Sequence, residues 1–245
     1  MSNTQIHEMN TQQHTQHNNA FETLRAKRLA EATKPFLARG AKVIRCKRCQ
    51  LSRCICSFRE GVNSDIDVIL LLHRNEVLKP TNTGRLIADC FPNNTFAYVW
   101  ARTAIDSNLE QLLKDPTREF LLLFPGEKNP QLTATTITEL PQDKKLTVVI
   151  IDATWKQARR MYLQSPWLHQ FPCIPLSEDQ LCGQYGMRKA PRDMQTSTAE
   201  AFIAALNNLN KPATAEHLLA YFKIFNQHYL SMRMNVPLEK IGNSD

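Results

Sequence analysis

The stretch that decides the fold reads Val148-Val149-Ile150-Ile151-Asp152-Ala153-Thr154-Trp155. Its four consecutive β-branched residues predict a strand buried on both faces, and the pattern of residues 156–163 predicts a helix directly after it. A carboxylate at the C-terminal end of such a strand lies where open α/β sheets bind ligands. The alternative is that Asp152 only caps the helix, since a carboxylate there accepts backbone N–H groups.

Strands and helices alternate through the rest of the chain. Strands are predicted at residues 66–73, 95–100, 120–124 and 146–151, and helices at residues 20–32, 86–91, 107–113, 156–163, 197–209 and 218–232. This alternation predicts an α/β fold with a mainly parallel sheet and helices on both faces. Prolines interrupt residues 171–176, which predicts a short edge strand or loop.

The length and composition indicate one large domain with small appendages, since the chain has 245 residues and 42% of them are hydrophobic. We expect a disordered tail at residues 1–20, a helix and a cysteine knuckle at 21–60, the main α/β domain at 61–235 and a flexible C-terminus at 236–245. No apolar run approaches a membrane span and the polar start is unlike a secretion signal, so we expect a cytoplasmic protein without a membrane partner. The oligomeric state is left open, with a monomer slightly favoured.

Four of the seven cysteines lie within eleven residues in the pattern C-x2-C-x4-C-x-C. They are Cys46, Cys49, Cys54 and Cys56. This spacing can supply four thiolates to one tetrahedral ion, and we predict a zinc knuckle. An iron–sulfur centre is the main alternative, and a redox pair or buried free thiols are the others.

Positive charge is concentrated in one segment. The net charge is +7, and residues 32–59 carry eight Lys and Arg and no Asp or Glu, so the rest of the chain is close to neutral. A localised basic block predicts a polyanionic partner, above all nucleic acid. Four cations in or near the knuckle are predicted to contact RNA phosphates: Lys47, Arg48, Arg53 and Arg59.

Two further polar blocks precede predicted helices. Thr81-Asn82-Thr83-Gly84-Arg85 offers backbone N–H groups to an anion or simply caps its helix, and Ser197-Thr198-Ala199-Glu200 is a capping box. The chain has no G-x-G-x-x-G after its first strand, no Walker lysine loop and no Ser or Cys in a nucleophile elbow. A Rossmann dinucleotide site and an NTPase are therefore disfavoured.

Five blocks in the same order make the chain resemble the DTW-domain family of the TDD superfamily. They are the cysteine knuckle, Thr81-Asn82-Thr83-Gly84-Arg85, Leu123-Phe124-Pro125-Gly126, Asp152-Ala153-Thr154-Trp155 and Ser197-Thr198-Ala199-Glu200-Ala201. The resemblance extends from about Cys46 to the final helix. It implies that residues 61–235 form the catalytic DTW domain, with a SPOUT-like knotted fold.

Within this family the chain is similar to the tRNA-uridine aminocarboxypropyltransferases. The resemblance implies transfer of the 3-amino-3-carboxypropyl group of S-adenosylmethionine to N3 of a uridine in tRNA, which releases methylthioadenosine. The zinc would then be structural, because displacement at a carbon next to a sulfonium needs no metal. A methyltransferase on the same fold and a non-catalytic, zinc-containing RNA-binding module are the alternatives.

The resemblance also implies roles for individual residues. Asp152 is expected to be catalytic, either as the acceptor of the uridine N3 proton or as an anchor for the cofactor amino group. The adenosine and methionine parts of the cofactor are expected near Thr83, Ile151, Leu176 and Thr198. Arg85 or Arg188 can hold the cofactor carboxylate, and Trp155 can pack on the cofactor, on the uracil or in the core.

Overall fold

The structure is a computed structural model that describes residues 19–33, 43–125, 129–130, 132–133, 137, 139–141, 143–177, 180 and 196–241. The predicted disordered tail lies outside these residues up to position 18, as do the last four positions of the predicted C-terminus. The helices of the described part are α1 (Ala20–Ala30), α2 (Gly84–Cys90), α3 (Ser107–Leu113), α4 (Trp155–Leu163), α5 (Thr198–Asn208) and α6 (Pro212–Met234). The strands are β1 (Asp67–Leu72), β2 (Thr95–Val99), β3 (Arg118–Leu123) and β4 (Lys145–Asp152), and short 3-10 turns lie at Cys56–Phe58, Pro166–Gln170 and Leu238–Lys240.

The four strands form one parallel sheet in the order β2-β1-β4-β3. β4 lies in its interior, in register with β1 so that Leu72 pairs with Asp152. Beside the outer strand β3, Leu122 forms a parallel bridge to Cys173, within the predicted proline-interrupted segment. The predicted parallel sheet is therefore confirmed. The carboxyl end of β4 lies between β1 and β3, at the edge of the sheet where all four strands end.

Alternate residues of β4 face two separate apolar cores. Val148 and Ile150 belong to the core that contains side chains of α1, α2, α5 and α6, while Val149 and Ile151 belong to the core that contains side chains of α3 and α4. A strand flanked by helices on both faces has no polar side, which explains its unbroken run of β-branched residues. The prediction of helices on both faces is confirmed.

The cysteine segment packs onto the first of these cores. Phe21 of α1 and the knuckle residues Cys49, Leu51 and Ile55 are buried in the same cluster as Leu86 of α2. Two backbone hydrogen bonds close the knuckle turn, from the Cys46 N–H to the Leu51 carbonyl (2.9 Å) and from the Gln50 N–H to the Cys46 carbonyl (3.0 Å). The knuckle thus shares its hydrophobic support with the helix that follows β1.

None of the helices in these described ranges has the length and apolar character required to cross a bilayer.

Candidate functional site

Asp152 ends β4 as a buried carboxylate that is held by two neutral donors. Its side chain is only 3% exposed. The Asn82 Nδ2 donates to Oδ2 (2.7 Å), and the Thr198 hydroxyl donates to Oδ1 (2.8 Å). In the part of the chain that the structure describes, no cationic side chain lies within ion-pair distance of this carboxylate. Burying an anion without a cationic partner lowers the stability of the fold, so packing alone does not account for a carboxylate at this position.

The interpretation of Asp152 as only a helix cap is wrong. Thr154 is the N-cap of α4, and its backbone N–H donates to the Gln157 Oε1 (3.1 Å). The Asp152 carboxylate instead accepts from residues that precede α2 and begin α5. The helix is capped without it, so the acidic side chain at this position is free for another role.

Burial raises the pKa of Asp152 from its ordinary value of 3.8 to about 6. The hydrogen bonds from Asn82 and Thr198 and the positive charge of Lys79 act against this rise, while the negative charge of Glu76 adds to it. A carboxyl group with a pKa near 6 is ionised at neutral pH and is a stronger base than an exposed aspartate. It is therefore suited to accept a proton.

The segments that hold Asp152 are themselves tied together. Asn82 accepts the Arg85 N–H on its Oδ1 (3.0 Å), which turns its Nδ2 towards Asp152. Thr83 accepts the Ala199 N–H on its hydroxyl (3.3 Å), so the starts of α2 and α5 are joined directly. The predicted capping box at α5 is confirmed, since Ser197 and Glu200 exchange hydrogen bonds. These links position both donors of the carboxylate.

Gly84 makes room for the carboxylate. A Cβ at this position would lie 3.0 Å from the Asp152 Cγ and closer still to its Oδ2. Neither this contact nor the role of Asn82 was predicted, although both residues lie in the Thr81–Arg85 block. An Asx residue followed two positions later by a glycine at a helix start was the available signal, but their partner Asp152 lies about 70 residues away in the chain.

Only part of the predicted cofactor set lies at this site. Thr83 and Thr198 are brought together with Asp152. Ile151 is buried in the second core, and Leu176 is half-buried against the first. Trp155 packs against Phe124 with a ring-centroid distance of 6.2 Å, at the border of the second core. Arg188 and Gly126 lie outside the described residues.

The four predicted metal ligands do converge. All four Sγ atoms lie within 4.8 Å of one another. The Sγ–Sγ distances include 3.5 Å for Cys46–Cys54, 3.8 Å for Cys46–Cys56 and 3.8 Å for Cys49–Cys54. Four sulfurs at about 2.3 Å from one tetrahedral ion would be about 3.8 Å apart, so the cluster has room for a single ion rather than a multi-iron cluster.

Arg85 is buried against Phe225 and senses the charge of this cysteine cluster, and within the described residues it forms no ion pair with Asp152. Its guanidinium carbon lies 5.3 Å above the ring of Phe225, and none of its three nitrogens has a hydrogen-bond partner within the described ranges. Burial lowers the pKa of Arg85 to about 10, and Cys49 is the strongest of the charges that oppose this shift. The group is therefore a buried cation at neutral pH. Four thiolates on a divalent ion carry a net negative charge, which would compensate it.

The predicted RNA contacts have different environments. Arg48 and Arg59 both form ion pairs with Glu22, at 2.6 and 2.9 Å, and Arg59 also pairs with Asp89. Lys47 is exposed, and Arg53 is half-buried. Two of the four predicted cations are thus engaged by acidic groups from outside the basic segment.

These features define an α/β domain with a candidate acid–base site at the carboxyl edge of a parallel sheet and a candidate four-cysteine metal centre. The model of the DTW domain family matches residues 43–230. The chain belongs to the DTW domain family.

Curated relatives are consistent with this assignment. The chain is 25% identical over 174 residues to tRNA-uridine aminocarboxypropyltransferase 2 of Mus musculus, an alignment that covers 68% of this chain and 56% of the relative. It is 26% identical over 174 residues to the protein of the same name in Macaca fascicularis, with the same coverage. The chain spans about half the length of the curated relatives it matches. No solved structure matches this chain.

Proposed function

We propose that this protein transfers the 3-amino-3-carboxypropyl group of S-adenosylmethionine to N3 of a uridine in tRNA. Family membership and the names of the curated relatives support a tRNA-modifying transferase. The specific proposal of transfer to N3 rests on the environment of Asp152. Its carboxylate is buried, accepts hydrogen bonds from two neutral donors and has a pKa of about 6.

The chemical step needs a proton acceptor, since neutral uracil carries a proton on N3. In the proposed step N3 attacks the methionine Cγ of the co-substrate while the bond between that carbon and the sulfonium sulfur breaks. The bonding electron pair stays on sulfur and gives neutral methylthioadenosine, and the N3 proton passes to the Asp152 carboxylate. The rest of the rate enhancement comes from holding the chosen carbon in line with N3.

The co-substrate is proposed to lie beside the joined starts of α2 and α5. Thr83 and Thr198 flank Asp152 there, and Ile151 and Leu176 remain proposed apolar contacts. Arg85 is not proposed as a ligand of the co-substrate carboxylate, because its guanidinium is buried against the Phe225 ring and is influenced by the charge of Cys49. The SPOUT-like knot belongs to this proposal as well, and it rests on the family resemblance.

The direct test is mass spectrometry of nucleosides from tRNA incubated with the protein and S-adenosylmethionine. We expect 3-(3-amino-3-carboxypropyl)uridine and methylthioadenosine. Formation of S-adenosylhomocysteine with a methylated nucleoside would assign the protein to methyl transfer instead. Absence of cofactor binding in calorimetry, together with retained tRNA binding, would leave a non-catalytic RNA-binding module.

The four-cysteine cluster is proposed to hold one structural zinc ion per chain. Cys49→Ser should abolish zinc binding and unfold the knuckle, because site and local fold form together, whereas Cys90→Ala should retain the metal. Arg85→Met should weaken zinc binding in a chelator competition and stabilise the metal-free protein, since it removes a buried cation that lacks a hydrogen-bond partner among the described residues. Iron in elemental analysis, or zinc retained by Cys49→Ser, would contradict the assignment.

A further inference from the structure

We propose that the exposed face of α4 is the surface on which the phosphate backbone of the RNA substrate docks. This inference rests on the proposed function and adds the binding surface to it. The surface is called the α4 cation face below. It consists of Lys156, Arg159 and Arg160 of α4 and of Arg74, which follows β1, and all four residues are exposed. None of these residues belongs to the basic segment that the sequence pattern singled out.

The helix presents its cations on one side only. Lys156, Arg159 and Arg160 have the i, i+3 and i+4 spacing that places side chains on a common face of a helix. Ala158, Met161 and Tyr162 are buried in the second core on the opposite side. The sequence of α4 contains no acidic residue. The helix therefore packs through its apolar side and presents three cations to solvent, together with the exposed Leu163.

This row begins next to the proposed reaction centre. α4 starts three residues after Asp152, and the His73 N–H donates to the Asp152 carbonyl (3.0 Å), which brings Arg74 to the same edge of the sheet. The positive charges of Arg74 and Arg160 both act on the His73 ring and lower its pKa, although burial is the larger cause. A polyanion bound along α4 would thus run past the mouth of the Asp152 site.

The charges on this face are not neutralised within the described structure. No carboxylate of the described residues lies within ion-pair distance of Arg74, Lys156, Arg159 or Arg160. Around the knuckle, by contrast, Glu22 and Asp89 engage Arg48 and Arg59. Counterion release on phosphate binding requires cations that are available in the free protein, so the α4 cation face is the better phosphate surface.

The chemistry of the face favours RNA over an acidic protein. Protein interfaces obtain most of their binding energy from buried aromatic and apolar anchors, whereas phosphate contacts need only accessible cations. Three of the four exposed positions of α4 are cationic, and Leu163 is the one exposed apolar residue of this helix. The cations span one helical turn beside the Asp152 site. Contacts from them to the phosphate backbone would position the RNA so that one base reaches the carboxyl edge of the sheet.

The test compares two triple variants with the same change in charge. Lys156→Gln/Arg159→Gln/Arg160→Gln removes three cations of the α4 cation face. Lys27→Gln/Lys47→Gln/Arg53→Gln removes three cations on the knuckle side and leaves the ion-paired Arg48 and Arg59 in place. tRNA affinity is measured across a salt series, S-adenosylmethionine affinity by calorimetry, and folding by thermal unfolding.

We expect the α4 variant to bind tRNA roughly 10- to 100-fold more weakly, with a salt dependence reduced by about one for each phosphate contact removed. Its S-adenosylmethionine affinity and thermal stability should match the wild type, and product should still form at saturating tRNA. The knuckle-side variant should keep near-normal affinity. Together these results would support the surface.

Three results would overturn it. If the α4 variant keeps wild-type affinity and salt dependence, the RNA docks elsewhere, and a loss confined to the knuckle-side variant would show where. If poly-glutamate binds the α4 cation face as tightly as tRNA does, the surface recognises acidic peptides. If the wild type binds neither tRNA nor S-adenosylmethionine, the proposed function itself fails, an outcome distinguishable from the first because cofactor binding is lost too.

Discussion

Two buried aspartates lie at opposite ends of the same sheet and are held in different ways. Asp67 begins β1, and its carboxylate pairs with Arg118 (2.6 Å) while it also accepts from the Asn94 Nδ2 (2.7 Å). Asp152 ends β4, and the hydrogen bonds to its carboxylate come from the neutral side chains of Asn82 and Thr198. Their exposures, 5% and 3%, are nearly equal, so burial alone does not distinguish them.

From this difference we propose a structural role for Asp67 and a chemical role for Asp152. The Asp67 carboxylate is bound by the Arg118 guanidinium, so it joins β1 to β3. A carboxylate held only by neutral donors keeps a raised pKa, about 6 for Asp152, and can exchange a proton near neutral pH. The carboxyl ends of parallel strands are also where α/β proteins bind their ligands.

The largest expected effect is on turnover at the Asp152 end. Asp152→Asn should lower kcat/KM by about 10²–10⁴, because it removes the base but keeps the shape of the side chain. The wild-type rate should rise with pH through about 6, as the carboxyl group ionises. If Asp152 is the base, the deficit of the variant should shrink at high pH as uracil N3 ionises unaided. A deficit that persists with weakened cofactor binding would indicate an anchor for the cofactor amino group instead.

The matched change at the other end of the sheet should affect stability rather than turnover. Asp67→Asn removes the buried anionic partner of Arg118, which keeps its ion pair with the more exposed Asp115 (3.2 Å), and we expect a loss of about 1–3 kcal/mol in the free energy of unfolding. The kcat/KM of the folded variant should stay close to the wild type. Denaturant unfolding and steady-state kinetics on both variants would check this. Similar losses of activity in the two would remove the distinction between the two ends.

Asp152→Asn should make the protein more stable at neutral pH. The folded-state pKa of Asp152, about 6, lies above its ordinary value of 3.8, so between these pH values the native state holds a proton that the unfolded state has released. Wild-type stability therefore falls as pH rises through this window, by about 3 kcal/mol in total. The advantage of the variant should be full above pH 6 and vanish below pH 4. A pH-independent difference between the two unfolding curves would contradict this cause.

The smallest expected effect concerns the space that Gly84 leaves for the carboxylate. Gly84→Ala should displace Asp152 and cost about 1–3 kcal/mol of stability, partly offset by the better helix propensity of alanine. In an Asp152→Ala background the clash is removed, so the same substitution should then be neutral or stabilising. A double-mutant cycle by thermal unfolding measures this coupling. Additive effects would show that Gly84 is not fitted to the carboxylate.

Local pattern was sufficient to predict most of the fold. The β-branched run, the alternation of strands and helices and the capping box at Ser197 correspond to β4, the parallel sheet and the start of α5. The spacing of four cysteines likewise anticipated their convergence. The strand, the capping box and the cysteine cluster depend on neighbours close in the chain, which sequence periodicity records directly, and the parallel sheet follows from the alternation of strands and helices.

The sequence did not show which cationic side chains are ion-paired in the folded protein. The basic segment around the knuckle is partly neutralised by Glu22 and Asp89, which lie outside it, while the cations of α4 have no such partners among the described residues. Ion pairing depends on which helices pack together. A count of charges along the chain therefore locates a basic segment without showing whether its charge is available.

By itself, the sequence determined that a carboxylate would end a buried strand and that four thiols would lie close together. Only the tertiary structure decided that Asn82, Gly84 and Thr198 surround the carboxylate, and that the Arg85 guanidinium packs on Phe225. The reason is that strand order and helix rotation set these contacts, because they bring together residues that are far apart in the chain. No local pattern encodes the direction in which a helix side chain points once its helix has packed.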